Sequence, residues 1–209
     1  MPRRSRSVNR RVRPFESEEA LALAYWLRTR QRRARVAVHS VYQRAVEQAR
    51  DPVFFTDFAV PDTLDGRFEV LAMHLFLLLN RLKGESEDAA AFAQSLFDTF
   101  FADMDRSLRE MGAGDLGVGR RVRTMAEAFY GRIAAYDRGL GEGDTALAEA
   151  LKRNLYGTVP ATEPMLVAAM ARYIKRQRAA LASAPTGQLL RGEIEFLGAA
   201  RALRPEGVK

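Results

Sequence analysis

The apolar run at residues 70–79, interrupted only by His74, constrains the fold more than any other stretch of the chain. In the helix predicted over residues 68–82, apolar side chains occupy nearly every face, so other elements or lipid must bury it. The run is too short to span a bilayer, because a membrane-spanning helix needs about 20 apolar residues. We therefore predict that it forms the buried central helix of a helical domain.

A turn precedes this predicted helix and supplies several candidate functional residues. Pro61 favours extended geometry at the residue before it, which argues against a helix that runs through this point. Asp65 is predicted to be the N-cap, since its carboxylate can accept hydrogen bonds from the first N–H groups of a helix. We expect Asp62, Asp65 and Arg67 to fix this turn.

The rest of the chain shows helical periodicity and no alternation typical of strands, so the predicted class is all-α. We predict one domain of about seven or eight helices over residues 17–203, with a basic flexible tail at 1–16 and a second tail at 204–209. Ser17, Ser86 and Thr162 are predicted N-caps. The other helices are predicted from residue 18 into the basic cluster at 28–35, and at 36–50, 87–111, 116–136, 145–156, 163–181 and 188–203.

The net charge of +7 is concentrated in two groups of arginines near the N-terminus, a pattern that favours anionic partners. The first group contains no acid and is interpreted either as a solvated tail or as an arm that contacts lipid or RNA. The second lies on a predicted helix, where a solvated face is the alternative to a lipid or nucleic-acid contact. The two groups are Arg3, Arg4, Arg6, Arg10, Arg11 and Arg13, and Arg28, Arg30, Arg32, Arg33 and Arg35.

The residue types present exclude several kinds of chemistry. The chain has no cysteine, which excludes disulfides, thiol catalysis and cysteine-ligated metals. Of its two histidines, His39 and His74, the second is interpreted as a hydrogen-bonded core residue, with a haem ligand as the alternative. Nothing resembles a nucleophile elbow. We therefore predict a binding module with no catalytic residue, metal site or cofactor.

A glycine-rich segment at residues 112–119 matches the pattern G-x-G-x-x-G. A dinucleotide site needs a strand before that pattern, whereas a long amphipathic helix is predicted here. The structural interpretation is that Gly112 closes the preceding helix and Asp115 caps the next. Three arginines at 120, 121 and 123 then occupy the helix end that disfavours cations, which predicts compensation by acids of the preceding helix or by an acidic partner.

Aspartates in two stretches leave a magnesium–diphosphate site open as an alternative. Helical prenyl-transferring enzymes hold magnesium with carboxylates from facing helices, and the sequence offers Asp62 and Asp65 together with Asp98, Asp103 and Asp105. Against this, the first two lie where turn and cap residues are expected. The alternative requires these carboxylates to face a common cavity.

The densest motifs of the chain resemble those of a known family. The longest reads Phe101-x-Asp103-Met104-Asp105-x-Ser107-Leu108-Arg109-Glu110-Met111-Gly112-x-Gly114-Asp115-Leu116-x-Val118-Gly119, and shorter matches lie at residues 49–55, 60–69, 74–82, 93–98 and 125–132. Together they cover about residues 41–156 and resemble the ubiquinol–cytochrome c reductase (bc1 complex) assembly chaperones. The candidate client-binding or motif residues are Asp62, Asp65, Gly66, Arg67, His74, Asp103, Asp105, Arg106, Arg109, Glu110, Gly112, Gly114, Asp115, Gly119, Phe129, Tyr130 and Arg132.

The resemblance implies a non-enzymatic role. Such a protein would bind newly made cytochrome b, or an early bc1 assembly intermediate, and promote biogenesis of the complex. A small partner protein and an anionic membrane surface are further expected partners, and nucleic acid is not. The implied location is the cytoplasmic side of a bacterial inner membrane, with the matrix side of the mitochondrial inner membrane as the alternative. We also expect Asp103, Asp105, Arg106, Arg109 and Glu110 to form a polar network against the glycine loop.

Overall fold

The computed structural model describes residues 18–110, 112 and 115–203, and every regular element in that part is helical, which confirms the all-α prediction. The chain divides into two compact units, Met1–Arg33 and Ala34–Lys209, which we describe separately. Within the described residues no helix is long and apolar enough to cross a membrane. The helices are α1 (Glu18–Ala49), α2 (Val53–Thr56), α3 (Leu64–Leu82), α4 (Glu87–Glu110), α5 (Asp115–Glu142), α6 (Asp144–Asn154), α7 (Pro164–Ser183), α8 (Thr186–Leu190) and the 3-10 helix η1 (Ala199–Ala202).

Helix α1 corrects the prediction of two separate N-terminal helices. It runs unbroken from Glu18 to Ala49. No glycine or proline interrupts the arginine-rich stretch, and arginine has a high helix propensity, so the charged residues continue the helix. The predicted cap Ser17 and the predicted tails at 1–16 and 204–209 lie outside the described residues.

Helix α3 carries the apolar run and is buried along most of its length, from Gly66 to Leu78 and again at Leu82, except for Arg67. Helices α7, α5 and α4 pack against it. Its N-cap is Thr63, whose Oγ1 accepts from the Gly66 N–H at 3.1 Å, so the prediction of Asp65 was wrong. The helix begins earlier than its apolar stripe, which places Asp65 within the first turn, where an acid also suits the helix dipole.

Two other caps had opposite outcomes. Ser86 is confirmed as an N-cap, because its Oγ accepts from the Ala89 N–H at 3.1 Å. Thr162 is not a cap, since the residue before α7 is Glu163, which makes no side-chain capping bond. Pro164 occupies the first position of α7, where the missing N–H of proline has no helical partner to lose.

The predicted final helix at residues 188–203 is wrong. Helix α8 ends at Leu190, and Gly192 follows with a left-handed φ of 85°. The next residues are held in non-helical geometry by the buried Gln177 of α7, whose amide donates to the Leu197 carbonyl at 2.6 Å and accepts from the Leu197 N–H at 3.0 Å. These bonds satisfy the backbone without a helix, and only η1 restores helical turns.

Candidate functional site

The turn before α3 brings Asp62, Gly66 and Arg67 close together. The Arg67 Nε donates to Asp62 Oδ1 at 2.6 Å, and its guanidinium lies 5.1 Å from the centre of the Phe55 ring. Gly66 is buried, and a Cβ at this position would lie 1.9 Å from the Pro61 carbonyl oxygen. The turn therefore requires glycine for space, while the exposed ion pair lies on its outer side.

His74 is fully buried, so its side chain belongs to the core and not to the surface. Its Nδ1 donates to the Val70 carbonyl at 2.8 Å, because a carbonyl can only accept. Nε2 then accepts from the Tyr173 hydroxyl at 2.7 Å, and that hydroxyl accepts from the Gln48 amide at 3.2 Å. Burial lowers the pKa of His74 to about 4, which keeps the ring neutral near pH 7.

Arg132 forms the most buried ion pair of the described residues, and its partner Glu69 was not singled out from the sequence. The Arg132 Nε donates to Glu69 Oε2 at 2.5 Å, and Nη2 donates to Oε1. The side chains are 18% and 8% exposed, and the guanidinium also lies 5.5 Å from the Phe68 ring centre. Burial raises the pKa of Glu69, and the hydrogen bond and charge of Arg132 oppose that rise. The sequence signal for this pair was an acid, Glu69, placed between Phe68 and the apolar run at residues 70–79.

The predicted polar network of α4 is only partly defined by the described residues. Asp103 accepts from the Tyr42 hydroxyl at 2.7 Å and lies 3.6 Å from Arg106, and the Arg109 Nε donates to Asp105 at 2.7 Å. Glu110 is exposed at the end of the helix. These contacts link α4 to itself and to α1, so a network against the glycine loop stays a prediction.

The glycine-rich segment ends one helix and begins the next. Gly112 has a left-handed φ of 85° and its N–H donates to the Arg109 carbonyl at 3.0 Å, as expected for the residue that closes α4. Gly114 lies outside the described residues, Asp115 is the first residue of α5, and Gly119 is exposed. A helix precedes this segment, so it lacks the strand that a dinucleotide fingerprint requires.

Apolar side chains remain partly accessible along α4 and α5. Phe129 is fully buried among the rings of Phe97, Phe100 and Phe101, whereas the neighbouring Tyr130 is 60% exposed with its ring 5.4 Å from that of Phe97. Methionine and aromatic side chains suit adaptable binding surfaces. We call the following residues the α4–α5 face: Phe97, Met104, Val122, Met125 and Tyr130.

The arginines at the start of α5 are exposed, and no ion pair between described residues joins Arg120, Arg121 or Arg123 to α4. Asp103 and Asp105 of the preceding helix pair with arginines of α4 itself. The ion pairs between described residues therefore do not provide the predicted compensation by acids of the preceding helix.

The described acids do not form the site that the magnesium alternative needs. Among residues 18–110, 112 and 115–203, no group of three or more histidine or acidic side chains is placed to hold a metal ion. Asp62 pairs with Arg67, Asp103 binds Tyr42 and Asp105 pairs with Arg109, so these three carboxylates instead serve local hydrogen bonds and ion pairs.

A family model described as "Ubiquinol-cytochrome C chaperone" matches residues 56–196, which covers α3 to α8. The chain belongs to this family. The match extends beyond the family-like core at residues 41–156 that the motifs suggested, into α7 and α8. It includes the α3 turn, the α4–α5 face and the Glu69–Arg132 pair.

Relatives are similar to this chain in sequence, and one solved structure is also similar to it in fold. The crystal structure of the Cbp3 homolog from Brucella abortus is 37% identical with a TM-score of 0.77, and the similarity covers 86% of this chain and 98% of that one. Ubiquinol-cytochrome-c reductase complex assembly factor 1 of Xenopus laevis is 28% identical over 68% of this chain and 71% of its own length. Protein CBP3 of Saccharomyces cerevisiae is 26% identical over 75% of this chain, which spans only 45% of that protein.

Proposed function

We propose that the chain is an assembly chaperone that binds newly made cytochrome b and promotes biogenesis of the bc1 complex. The observation that carries this proposal is the family match over residues 56–196, and relatives similar over 68% and 76% of the chain are named as assembly factors of this complex. A chaperone of this kind acts by binding, which accords with the family's name and with the absence of a catalytic motif in the sequence. A small partner protein stays a prediction.

The α4–α5 face is the surface that we assign to the client. Cytochrome b is a membrane protein, so a chaperone that holds it before assembly must shield apolar segments from water. Tyr130 offers an exposed ring that contacts Phe97, and the partly buried Met104 and Met125 of the same two helices supply flexible side chains. The Glu69–Arg132 pair joins α5, which carries part of this face, to α3.

Replacing Tyr130 with alanine is expected to weaken retention of cytochrome b about tenfold, as for an aromatic residue central to an interface. The measurement is affinity co-purification from gently solubilised membranes of the native organism, with retained proteins identified and quantified by mass spectrometry. Met165→Ala is the matched control, since Met165 is 68% exposed and lies on α7, outside the α4–α5 face.

Cytochrome b retained by the wild type with little mature bc1 complex would support an early assembly role. If cytochrome b is absent even after crosslinking, the proposed client is wrong. If both alanine variants reduce retention of cytochrome b equally, cytochrome b remains the proposed client but the assignment of the α4–α5 face fails.

We further propose that the helical residues of the Met1–Arg33 unit attach the protein to the anionic face of the membrane, on the cytoplasmic side in a bacterium or on the matrix side in a mitochondrion. Residues 21–27 expose five large apolar side chains, and four arginines follow directly. Arg30 also lies 5.6 Å from the ring centre of Trp26. Tyrosine and tryptophan beside arginine are suited to the boundary between headgroups and acyl chains.

Because Trp26 is the single tryptophan of the chain, its fluorescence reports directly on this segment. Vesicles that contain phosphatidylglycerol are expected to shift Trp26 emission to shorter wavelength, and vesicles of phosphatidylcholine alone to have little effect. Substituting Arg32→Gln with Arg33→Gln is expected to weaken binding to the anionic vesicles about 30-fold, at about 1 kcal/mol for each arginine.

Arg121→Gln with Arg178→Gln removes the same charge from exposed positions elsewhere and serves as the control. An unshifted Trp26, or equal losses for the two double variants, would refute attachment through this segment. Salt-sensitive RNA binding without vesicle binding would favour nucleic acid as the partner instead.

A further inference from the structure

A groove between α5 and the end of α6 is lined by arginines, which we call its walls, and by alanines and glycines, which we call its floor. Its volume is about 510 Å³, and alanine and glycine residues supply most of its lining. We call it the α5–α6 groove. Its lining includes Gly131, Arg132, Ala134, Ala135, Arg138 and Arg153.

The groove carries positive charge without compensation from its own lining. Three arginines line it and no acidic residue does. The guanidinium of Arg132 is held by Glu69 below the surface, whereas Arg138 and Arg153 are exposed and take part in none of the ion pairs between described residues. Cations held close together repel one another, so an anionic occupant is favoured on electrostatic grounds.

The floor admits a close approach. Gly131 and Ala135 are one turn apart on α5, with Ala134 exposed beside them. A Cβ added at Gly131 would meet no atom within 4 Å, so the space above this residue is open. Small residues four positions apart allow the backbone of a second helix to come near, as they do where helices pack closely.

We propose that the α5–α6 groove binds an acidic helix of a partner protein. The partner helix lies over Gly131 and Ala135, and its carboxylates meet Arg138 and Arg153 on the two sides of the groove. Carboxylates separated by one helical turn share a face, as this arrangement requires. The proposal does not depend on cytochrome b being the client, because it rests on the shape and charge of the groove.

The structure favours a helix over a free anion. A small anion would use the arginines and leave the open floor unfilled, whereas a helix also covers the apolar Cβ atoms of Ala134 and Ala135. Charged pairs at the rim of such a contact govern specificity and the rate of association, and salt screens them. Binding should therefore depend on both the charge of the walls and the free volume of the floor.

The test uses the full chain and a defined probe. The probe is a fluorescein-labelled, alanine-based helical peptide with glutamates one turn apart on one face, and its companion has glutamine at those positions. Fluorescence anisotropy at physiological salt is expected to show saturable binding of the glutamate peptide and at least tenfold weaker binding of the glutamine peptide. Backbone amide NMR shifts should locate the bound peptide at Gly131, Ala134 and Ala135.

Two variants address the two parts of the proposal. Arg138→Gln with Arg153→Gln removes the wall charges, and Gly131→Leu fills the floor at constant charge. Each change is expected to lower the affinity for the glutamate peptide at least tenfold. Arg178→Gln with Arg201→Gln, which removes equal charge from exposed positions elsewhere, is expected to leave the affinity within twofold. Circular dichroism confirms that each variant is folded.

Failure of the glutamate peptide to bind, or equal losses in the groove and control variants, would overturn the proposal. Binding that survives Gly131→Leu while inorganic phosphate displaces the peptide would also overturn it, since the groove would then be an anion site without a helix. Loss of cytochrome b retention in the co-purification leaves these peptide results unaffected, so the two proposals fail separately.

Discussion

Replacing Arg132 with methionine is expected to lower the free energy of unfolding by about 3 kcal/mol. Removal of one partner from a buried ion pair costs about 3–5 kcal/mol, because the remaining charge has lost both water and its counter-ion. The lower end applies here, since the Arg132 side chain is 18% exposed and water can reach part of the site. Urea unfolding followed by circular dichroism measures the change.

A second variant separates the lost pair from lost packing. In Glu69→Leu with Arg132→Met, no charge is left buried, so much of the stability should return. The control for arginine removal itself is Arg106→Met, which breaks a pair at 3.6 Å whose arginine is 67% exposed, and should cost less than 1 kcal/mol. A double variant as unstable as Arg132→Met would show that packing by the arginine, and not its charge, stabilises this region.

Replacing Gly66 with alanine is expected to destabilise the protein by about 3 kcal/mol, through a clash and not through lost contacts. The added methyl group would lie 1.9 Å from the Pro61 carbonyl oxygen, which is backbone and cannot rotate away. The turn before α3 must therefore shift, and over-packing of a well-packed site costs about 1–3 kcal/mol or more. Thermal unfolding by calorimetry is the measurement.

Gly131→Ala is the matched control, because the same added methyl group meets no atom within 4 Å. Glycine within a helix is less favourable than alanine by about 0.5–1 kcal/mol, so this variant should be slightly more stable than the wild type. Equal destabilisation by the two substitutions would contradict the steric explanation for Gly66.

The parts of the fold that were predictable from the sequence are those that local patterns determine. The apolar run of α3, the regular apolar spacing of α4 and the closing role of Gly112 each follow from neighbours in the chain. The all-α class follows from the same periodicity. Ser86 was also predictable, since its capping bond joins residues three positions apart.

The errors had different causes, and the one at the C-terminal segment involves a contact more distant in sequence. Thr63 and Asp65 are both good capping residues, and the position at which α3 leaves the turn decided between them. The C-terminal segment has helical composition, yet Gln177 holds Leu197 through two hydrogen bonds. No local signal marks such a partner.

In the candidate site, motifs also identified some residues but not their partners distant in sequence. The motifs identified Gly66, Tyr130 and Arg132, but the partner Glu69 is 63 residues from Arg132 in sequence. The hydrogen-bonded series through His74 was also hidden, since Tyr173 lies 99 residues away from it. The α5–α6 groove depends on Arg153 of α6 facing α5, which only the packing of the two helices establishes.

The contact between α1 and the segment after α8 cannot form until both segments have been synthesised. The Ser40 hydroxyl donates to the Gly192 carbonyl across 152 residues, and a Cβ on Gly192 would lie 3.1 Å from the Cα of Ala37. Translation proceeds from the N-terminus, so this side of α1 lacks its contact with Gly192 until that residue has left the ribosome. A member of this chaperone family must thus itself pass through synthesis with an unfinished surface of its own.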